Sequence, residues 1–372
     1  MELQFKKTGC SCLKPVLREI QNQEQTLEMK LSDGMPDIGR VLSAWGQVIL
    51  RSKDWRTDSV GLSGGVLVWV LYAPEDGTQP RCIDSWIPFQ MRWNLAESIP
   101  EGAIRIASLL RFVDARTVSA RKIMVRAGVA AMAEVLSPMN AEIYVPDTIP
   151  EGVELLRSRY PVRLPREAGE KAFVVDEDLS VPPSIPQPEK LMYYTVHPKM
   201  TDQKVMGNKV VFRGNGNLHI LYVSEEGQFH TWDFELPFSQ YAELNGNYSV
   251  DAQVDLVLNT TNLELELDDE GHLRLKAGVV AQYVIEDSQV LELVEDAYSL
   301  GRNLEIHRDM LQLPAILEKR MENIYGEQTI PANGDVIVDA QFLPDFPQQR
   351  RQIDGIHMEL PGSFQVLYYG ED

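Results

Sequence analysis

Cysteine is scarce in this chain. Its 372 residues hold three, Cys10, Cys12 and Cys82, too few for a disulfide framework. Cys10-Ser11-Cys12 is too closely spaced for an ordinary bridge, and Cys82 has no counterpart elsewhere in the sequence. A reducing cytoplasm is the simplest fit. Basic residues are also short: 35 Lys and Arg stand against 55 Asp and Glu, a formal charge of −20. That balance disfavours nucleic-acid backbones, which need clustered Lys and Arg. No apolar run approaches the ~18 residues that a membrane-spanning helix needs. Met1-Glu2-Leu3-Gln4-Phe5-Lys6-Lys7 lacks the apolar stretch of a secretory signal.

Recognised catalytic motifs are missing as well. No Gly-x-Ser-x-Gly elbow occurs. The six histidines, His197, His219, His230, His272, His307 and His357, follow no metal-ligand spacing. Gly214-Asn215-Gly216 leads into a strand pattern, so it has no helix N-terminus with which to hold a phosphate. The acidic turns lack the alternating ligands of a calcium loop. A metal or redox role for Cys10 and Cys12 has no further Cys or nearby His to support it. The expectation is no catalytic residues, no metal and no cofactor.

What the chain does have is repetition. Leu71-Tyr72-Ala73-Pro74-Glu75-Asp76-Gly77 recurs 150 positions later as Leu221-Tyr222-Val223-Ser224-Glu225-Glu226-Gly227. It returns after a further 146 as Leu367-Tyr368-Tyr369-Gly370-Glu371-Asp372. Ile87-Pro88-Phe89 answers Leu236-Pro237-Phe238, Pro165 answers Pro314, and Pro182 answers Pro331. Self-similarity at this length means duplicated modules, each long enough to bury a core. The spacing predicts a leader over 1–35, a first repeat over 36–181, a Pro-rich linker over 182–188 and a second repeat over 189–330. Residues 335–372 read as the opening strands of a partial third repeat.

The fold class is mainly β: tandem β-sandwich-like modules with short helices. Leu263-Glu264-Leu265-Glu266-Leu267 and Leu273-Arg274-Leu275-Lys276-Ala277 alternate apolar and charged residues around an acidic, Gly-ended turn, the pattern of a hairpin. Val66 to Leu71 and Leu218 to Val223 are apolar on both faces, as central strands are. Tyr72 and Tyr222 should be buried where those strands end. Helices are expected at 315–323, with Ile316, Leu317 and Met321 on one side, and as a short turn near 36–42.

Charge is uneven. Residues 37–130 carry 12 basic and 9 acidic side chains, and residues 199–287 carry 6 and 15. Drift between duplicated surfaces accounts for this; so does electrostatic complementarity between modules or molecules. Aromatics recur too: Trp69, Tyr72, Trp86, Phe89 and Trp93 in one repeat, Tyr222, Trp232, Phe234, Phe238 and Tyr241 in the next. Core packing is the plainer account. An exposed aromatic strip for a partner or a glycan is the sharper one, with Trp86, Trp93, Trp232 and Tyr241 as its residues.

The run Met35-Pro36-Asp37-Ile38-Gly39-Arg40-Val41-Leu42-Ser43-Ala44-Trp45-Gly46 resembles the signature of the SPOCS family, a domain associated with the spore coat of spore-forming Firmicutes. The Leu-Tyr-x-x-Glu-Asp-Gly turn, Ile87-Pro88-Phe89 and Val294-Glu295-Asp296-Ala297-Tyr298-Ser299 are similar to the same family, so the resemblance runs from about residue 30 onward. It implies a non-enzymatic protein of spore coat assembly, made in the mother cell and placed at the forespore or coat surface. Some relatives tether the coat's basement-layer ATPase, often through a LysM domain, and these residues show no LysM segment.

Duplication without a catalytic constellation, together with this resemblance, leads to a structural adaptor that binds other coat morphogenetic proteins and can associate with itself. A carbohydrate or cell-wall binding protein using the aromatic strip is the second reading. An enzyme whose carboxylates converge only in the fold is the third.

Overall fold

A computed structural model describes residues 5–268, 271–301, 303–319, 325–327, 329 and 336–369. It is mainly β, built from small antiparallel sheets. The first module uses β1 (Phe5–Lys30), β2 (Ile38–Arg56), β3 (Ser59–Pro74), β4 (Arg81–Asn94), β5 (Ala103–Ser119) and β6 (Lys122–Pro146). Two three-stranded sheets, ordered β2-β3-β4 and β1-β6-β5, face each other. Between them lie Val66, Val68, Val70, Tyr72, Ile87 and Trp93 from one sheet and Ile106, Ile123, Val125 and Ala127 from the other.

The second module repeats this order with β7 (Val153–Ser180), β8 (Pro188–Met206), β9 (Lys209–Ser224), β10 (Phe229–Glu243), β11 (Gln253–Leu267) and β12 (His272–Ser299). Its sheets are β8-β9-β10 and β7-β12-β11. The likeness extends to defects in the ladders. β2 skips a residue between Val41 and Ser43 and again between Leu50 and Ser52. β8 skips at the same places, between Leu191 and Tyr193 and between Met200 and Asp202. A bulge adds a residue and re-aims the strand, so shared bulges give both modules the same bends.

A third hairpin follows. β13 (Val336–Pro344) pairs with β16 (Gly362–Tyr369), and β14 (Gln348–Gln352) with β15 (Gly355–Glu359) at its tip. β13 skips between Ile337 and Asp339, so Asp339 faces Leu367. In the same register Tyr193 faces Leu221 and Ser43 faces Leu71. This hairpin is therefore the β2-β3 and β8-β9 unit a third time.

Strand pairing moves the module boundaries read from sequence. Residues 1–35 are no leader: β1 runs the whole length of β6. Its inward positions include Gln21, Gln23 and Gln25, so it carries no apolar alternation to betray it. Residues 182–188 are no linker between modules. They form the turn from β7 to β8, matched by the turn at 31–37 in the first module. The modules close as 5–146 and 153–299.

The short helices are a further correction, since the described residues contain none. Residues 38–42 open β2. Residues 315–319 are irregular and extended: Ile316 N donates to Arg163 O at 2.9 Å, and Leu311, Leu313 and Ala315 pack inward at a two-residue period. That one backbone bond ties the segment to β7. Residues 320–323 of that expected helix, the 331–335 stretch and the Glu371-Asp372 turn lie outside the described residues.

Candidate interaction surface

The outer face of the first module's β2-β3-β4 sheet is as apolar as its inner face. Trp45, Ile49, Trp69 and Leu71 lie there and join the core of the second module. That explains why Val66 to Leu71 is apolar on both sides. Trp45 stacks on Tyr193 with ring centroids 4.3 Å apart and planes 10° from parallel, and Trp69 meets the same tyrosine at 6.2 Å.

Two glutamines lock this interface reciprocally. Gln47 of β2 donates through Nε2 to Val196 O at 2.6 Å and accepts from Val196 N at 2.8 Å. Gln282 of β12 treats Ile106 of β5 in the same way, at 2.9 and 3.0 Å. Each glutamine pairs with a strand of the other module, so buried polar atoms are satisfied where the two modules meet. Beside them Arg105 pairs with Glu134 and with Asp255, the residue 150 positions on. Burial pushes Asp255 toward its neutral form, but the charges of Arg105 and Lys319 outweigh this and hold it below the usual carboxylate range.

Equivalent positions then repeat one contact around the molecule. Trp69, His219 and Gln365 each stand two residues before the leucine of the recurring Leu-Tyr pair. Trp69 meets Tyr193 of the second module. His219 Nε2 lies 3.1 Å from Asp339 Oδ1 of the third hairpin, off the axis of a hydrogen bond but at ion-pair distance. Gln365 Nε2 donates to Ser43 Oγ of the first module at 3.0 Å. Since Ser43, Tyr193 and Asp339 share one register position, the three hairpins contact one another in a closed ring. Arg111 of β5 adds an ion pair to Asp345 beside the third hairpin at 2.8 Å. Three residues before Pro15, Pro165 and Pro314 stand Cys12, Val162 and Leu311, and these also share one apolar cluster. Burial pushes the Cys12 thiol up, which keeps it protonated.

The contact between His219 and Asp339 is the ionic one. His219 Nδ1 also lies 2.7 Å from Asp233 of β10, and Tyr193 Oη donates to Asp339 Oδ2 at 2.6 Å. Burial draws His219 down, but its close contacts with Asp339 and Asp233 and their charges outweigh burial and raise it above the ordinary histidine range. Burial likewise opposes the charge on Asp339, and His219 and Tyr193 bring it below the carboxylate range. His197 of β8 is drawn down by desolvation and by the charge of His219, although its side chain is solvent-exposed.

The four aromatic positions read from sequence do not form one strip. Trp93 is fully buried in the first core. Trp86 lies against Gly65, under the Arg51 guanidinium, in an open depression with Pro88, Phe89 and Gln90. Trp232 is half-buried against Phe234. Tyr241, 53% exposed, has Lys171 and Lys209 near its ring at 6.0 and 5.2 Å. Sequence reading passed over the ring positions because Trp69, His219 and Gln365 share no chemistry. Only the register of the Leu-Tyr repeat relates them.

No helix among the described residues is long and apolar enough to cross a membrane. No curated protein and no solved structure matches the chain. A family model described as SipL, SPOCS domain matches residues 187–266, which span β8 through β11 of the second module. That segment is similar to the SPOCS-domain family.

Proposed function

We propose that this protein is a non-enzymatic structural adaptor in spore coat or envelope assembly, binding other coat morphogenetic proteins through its β-modules. One observation carries the reading: the inter-module surfaces are spent on joining the two modules through one packed, hydrogen-bonded interface. Trp45, Trp69, Gln47, Gln282 and Arg105 all serve the interface between modules. The SPOCS match supports a role in sporulation. The net charge of −20 favours protein partners over nucleic acid. In this reading the chain works in the mother cell, at the surface of the forespore. The test is deletion of the gene, with coat layers imaged in sporulating cells and the tagged protein followed by fluorescence. A misassembled or detached coat is expected. A normal coat, together with a diffuse tagged protein, would reject the adaptor.

One observation favours a second reading, carbohydrate or cell-wall binding. The Trp86 depression pairs an aromatic ring with the polar ends of Arg51 and Gln90, the kind of surface on which sugars stack. Titration with soluble cortex or cell-wall fragments tests it, with Trp86→Ala as the control that should abolish any binding.

A further inference from the structure

The loop from β10 to β11 contains Asn245-Gly246, and a single carboxylate holds it. Glu167 of β7 accepts from Asn245 N at 2.9 Å, from Asn245 Nδ2 at 3.2 Å and from Gly246 N at 3.1 Å. Tyr248 Oη donates to the same group at 2.7 Å. Burial and that carboxylate push the Tyr248 phenol up, so it stays a donor. The loop in turn caps the tip of the β8-β9 hairpin. Leu244 N donates to Asn208 O at 2.8 Å and Tyr248 N to Gly207 O at 3.0 Å.

The fold does not demand these residues. In the first module Leu95 N donates to Asp58 O at 2.8 Å and Ile99 N to Thr57 O at 2.7 Å, so Ala96 and Glu97 stand where Asn245 and Gly246 do. Leu17 follows the β1 bulge and faces Val135, just as Glu167 follows the β7 bulge and faces Ile285. At this corner the first module has Leu17 and Ala96. The second has a reactive dipeptide together with the carboxylate that binds it.

Asn-Gly is reactive because glycine has no side chain to screen its nitrogen. Gly246 N can lose its proton and attack Asn245 Cγ. A C–N bond forms, the Cγ–Nδ2 bond breaks and ammonia leaves, giving a cyclic imide. Water then opens the imide at either carbonyl, to aspartate or to isoaspartate, whose main chain runs through Cγ. Asn245 is exposed, so water reaches it. Glu167 opposes the first step. Taking the proton from Gly246 N creates a negative nitrogen against a negative carboxylate, and the bond from Nδ2 holds the side-chain amide in place.

We propose that Asn245 is a deamidation site kept unreactive by Glu167, and that its conversion releases the β10-β11 loop. Conversion exchanges a donor for an acceptor. A carboxylate oxygen would stand where Nδ2 lies 3.2 Å from Glu167 Oε1, and two like charges that close repel. Water does not reverse the step, so a loop once released stays released.

The test incubates the full chain in mildly alkaline buffer, where amide protons are lost more readily, and follows each asparagine by peptide mapping with mass spectrometry. Asn215-Gly216, the same dipeptide inside the β9 ladder, is the internal reference. In urea both sites should convert at similar rates. In the folded chain Asn245 should convert more slowly by a factor on the order of 10 or more, since bonds to a charged acceptor must first break. Glu167→Gln should restore most of that loss at Asn245 and leave Asn215 slow. Tyr248→Phe removes a bond to Glu167 but none to the dipeptide, so it should speed conversion less. Asn245→Asp should open a new protease site within residues 244–249. Asn245 converting as fast folded as in urea overturns the proposal, as does a rate that ignores Glu167→Gln. A parallel rise at Asn215 also overturns it, since the variant then loosens the whole module. Asn245→Asp without new cleavage overturns the release of the loop.

Discussion

His219 and Asp339, 120 residues apart in sequence, lie 3.1 Å from each other and fasten the third hairpin to the second module. Asp339 is buried, its side chain 4% exposed, and Tyr193 completes its hydrogen bonding. Replacing His219 by Leu leaves a buried carboxylate with one donor. Removing one member of a buried pair costs about 3–5 kcal/mol; the partial exposure of His219 places this case nearer 2. The expected outcome is selective proteolysis near residues 336–369, with 5–299 still resistant.

The same pair sets a pH dependence. His219 is raised in the folded state, so its contribution is complete below the ordinary histidine value of about 6.5 and fades as pH rises through the raised one. Asp339 is lowered, so its contribution is complete above the ordinary carboxylate value of about 3.9 and is lost as pH falls further. Protection of the hairpin from protease should therefore peak between about pH 4 and 6.5. With His219→Leu the decline on the alkaline side should vanish. Protection that keeps rising past pH 8 in the unsubstituted chain would show that His219 is not the latch.

Tyr72 and Tyr222 offer a test of module equivalence. Both are fully buried, and each donates to a proline carbonyl 36 residues back, Pro36 O at 3.1 Å and Pro186 O at 2.8 Å. Tyr→Phe at either should cost about 1 kcal/mol for the lost bond. Tyr→Ala should cost about 3–5 kcal/mol. Costs differing more than twofold between the two sites in denaturant melts would contradict equivalent packing.

Gly64 and Gly214 stand at one register position and serve one purpose. A Cβ at Gly64 would lie 2.5 Å from Ile49 O and 3.0 Å from the Phe89 ring; at Gly214, 2.2 Å from Lys199 O and 2.5 Å from the Phe238 ring. Backbone cannot yield as a flexible side chain does. Alanine at either should destabilise by about 1–3 kcal/mol through overpacking, read as a lower midpoint in urea. An unchanged midpoint would mean that the phenylalanine rings do not press on these strands.

Arg105 holds Glu134 and Asp255 across the module interface. Arg105→Ala should cost about 3–5 kcal/mol, because it leaves carboxylates buried without their partner. Adding Asp255→Asn should recover part of that loss. If Arg105→Ala melts like the unsubstituted chain, the interface is open to water and the two modules are joined more loosely than Gln47 and Gln282 indicate.

Much of the fold could be read from the residues. The 150-residue echo of Leu71-Tyr72 in Leu221-Tyr222 gave the two modules, and the apolar runs before them gave the central strands. The phase of the repeat was hidden, because β1 turns glutamines inward and shows no two-residue period. The 315–319 segment suggested a helix from local propensity, yet it extends along β7 because tertiary contacts decide for a chain this short. The aromatic positions were legible only as a set of candidates. Trp93 and Trp86 sit seven residues apart on one strand, so they turn to opposite faces, and only one reaches solvent.

The ring of contacts uses one geometry and three chemistries: an aromatic pair at Trp69, an ion pair at His219 and a neutral amide at Gln365. Each joint is thereby keyed to its neighbour. Exchange any two of the hairpins, and Trp69 would face the Asp339 carboxylate, His219 the Ser43 hydroxyl and Gln365 the Tyr193 phenol, with a buried charge left unmatched. The order of the modules around the axis is written into three residues, and a folding chain that closes in the wrong sequence meets a penalty at every joint.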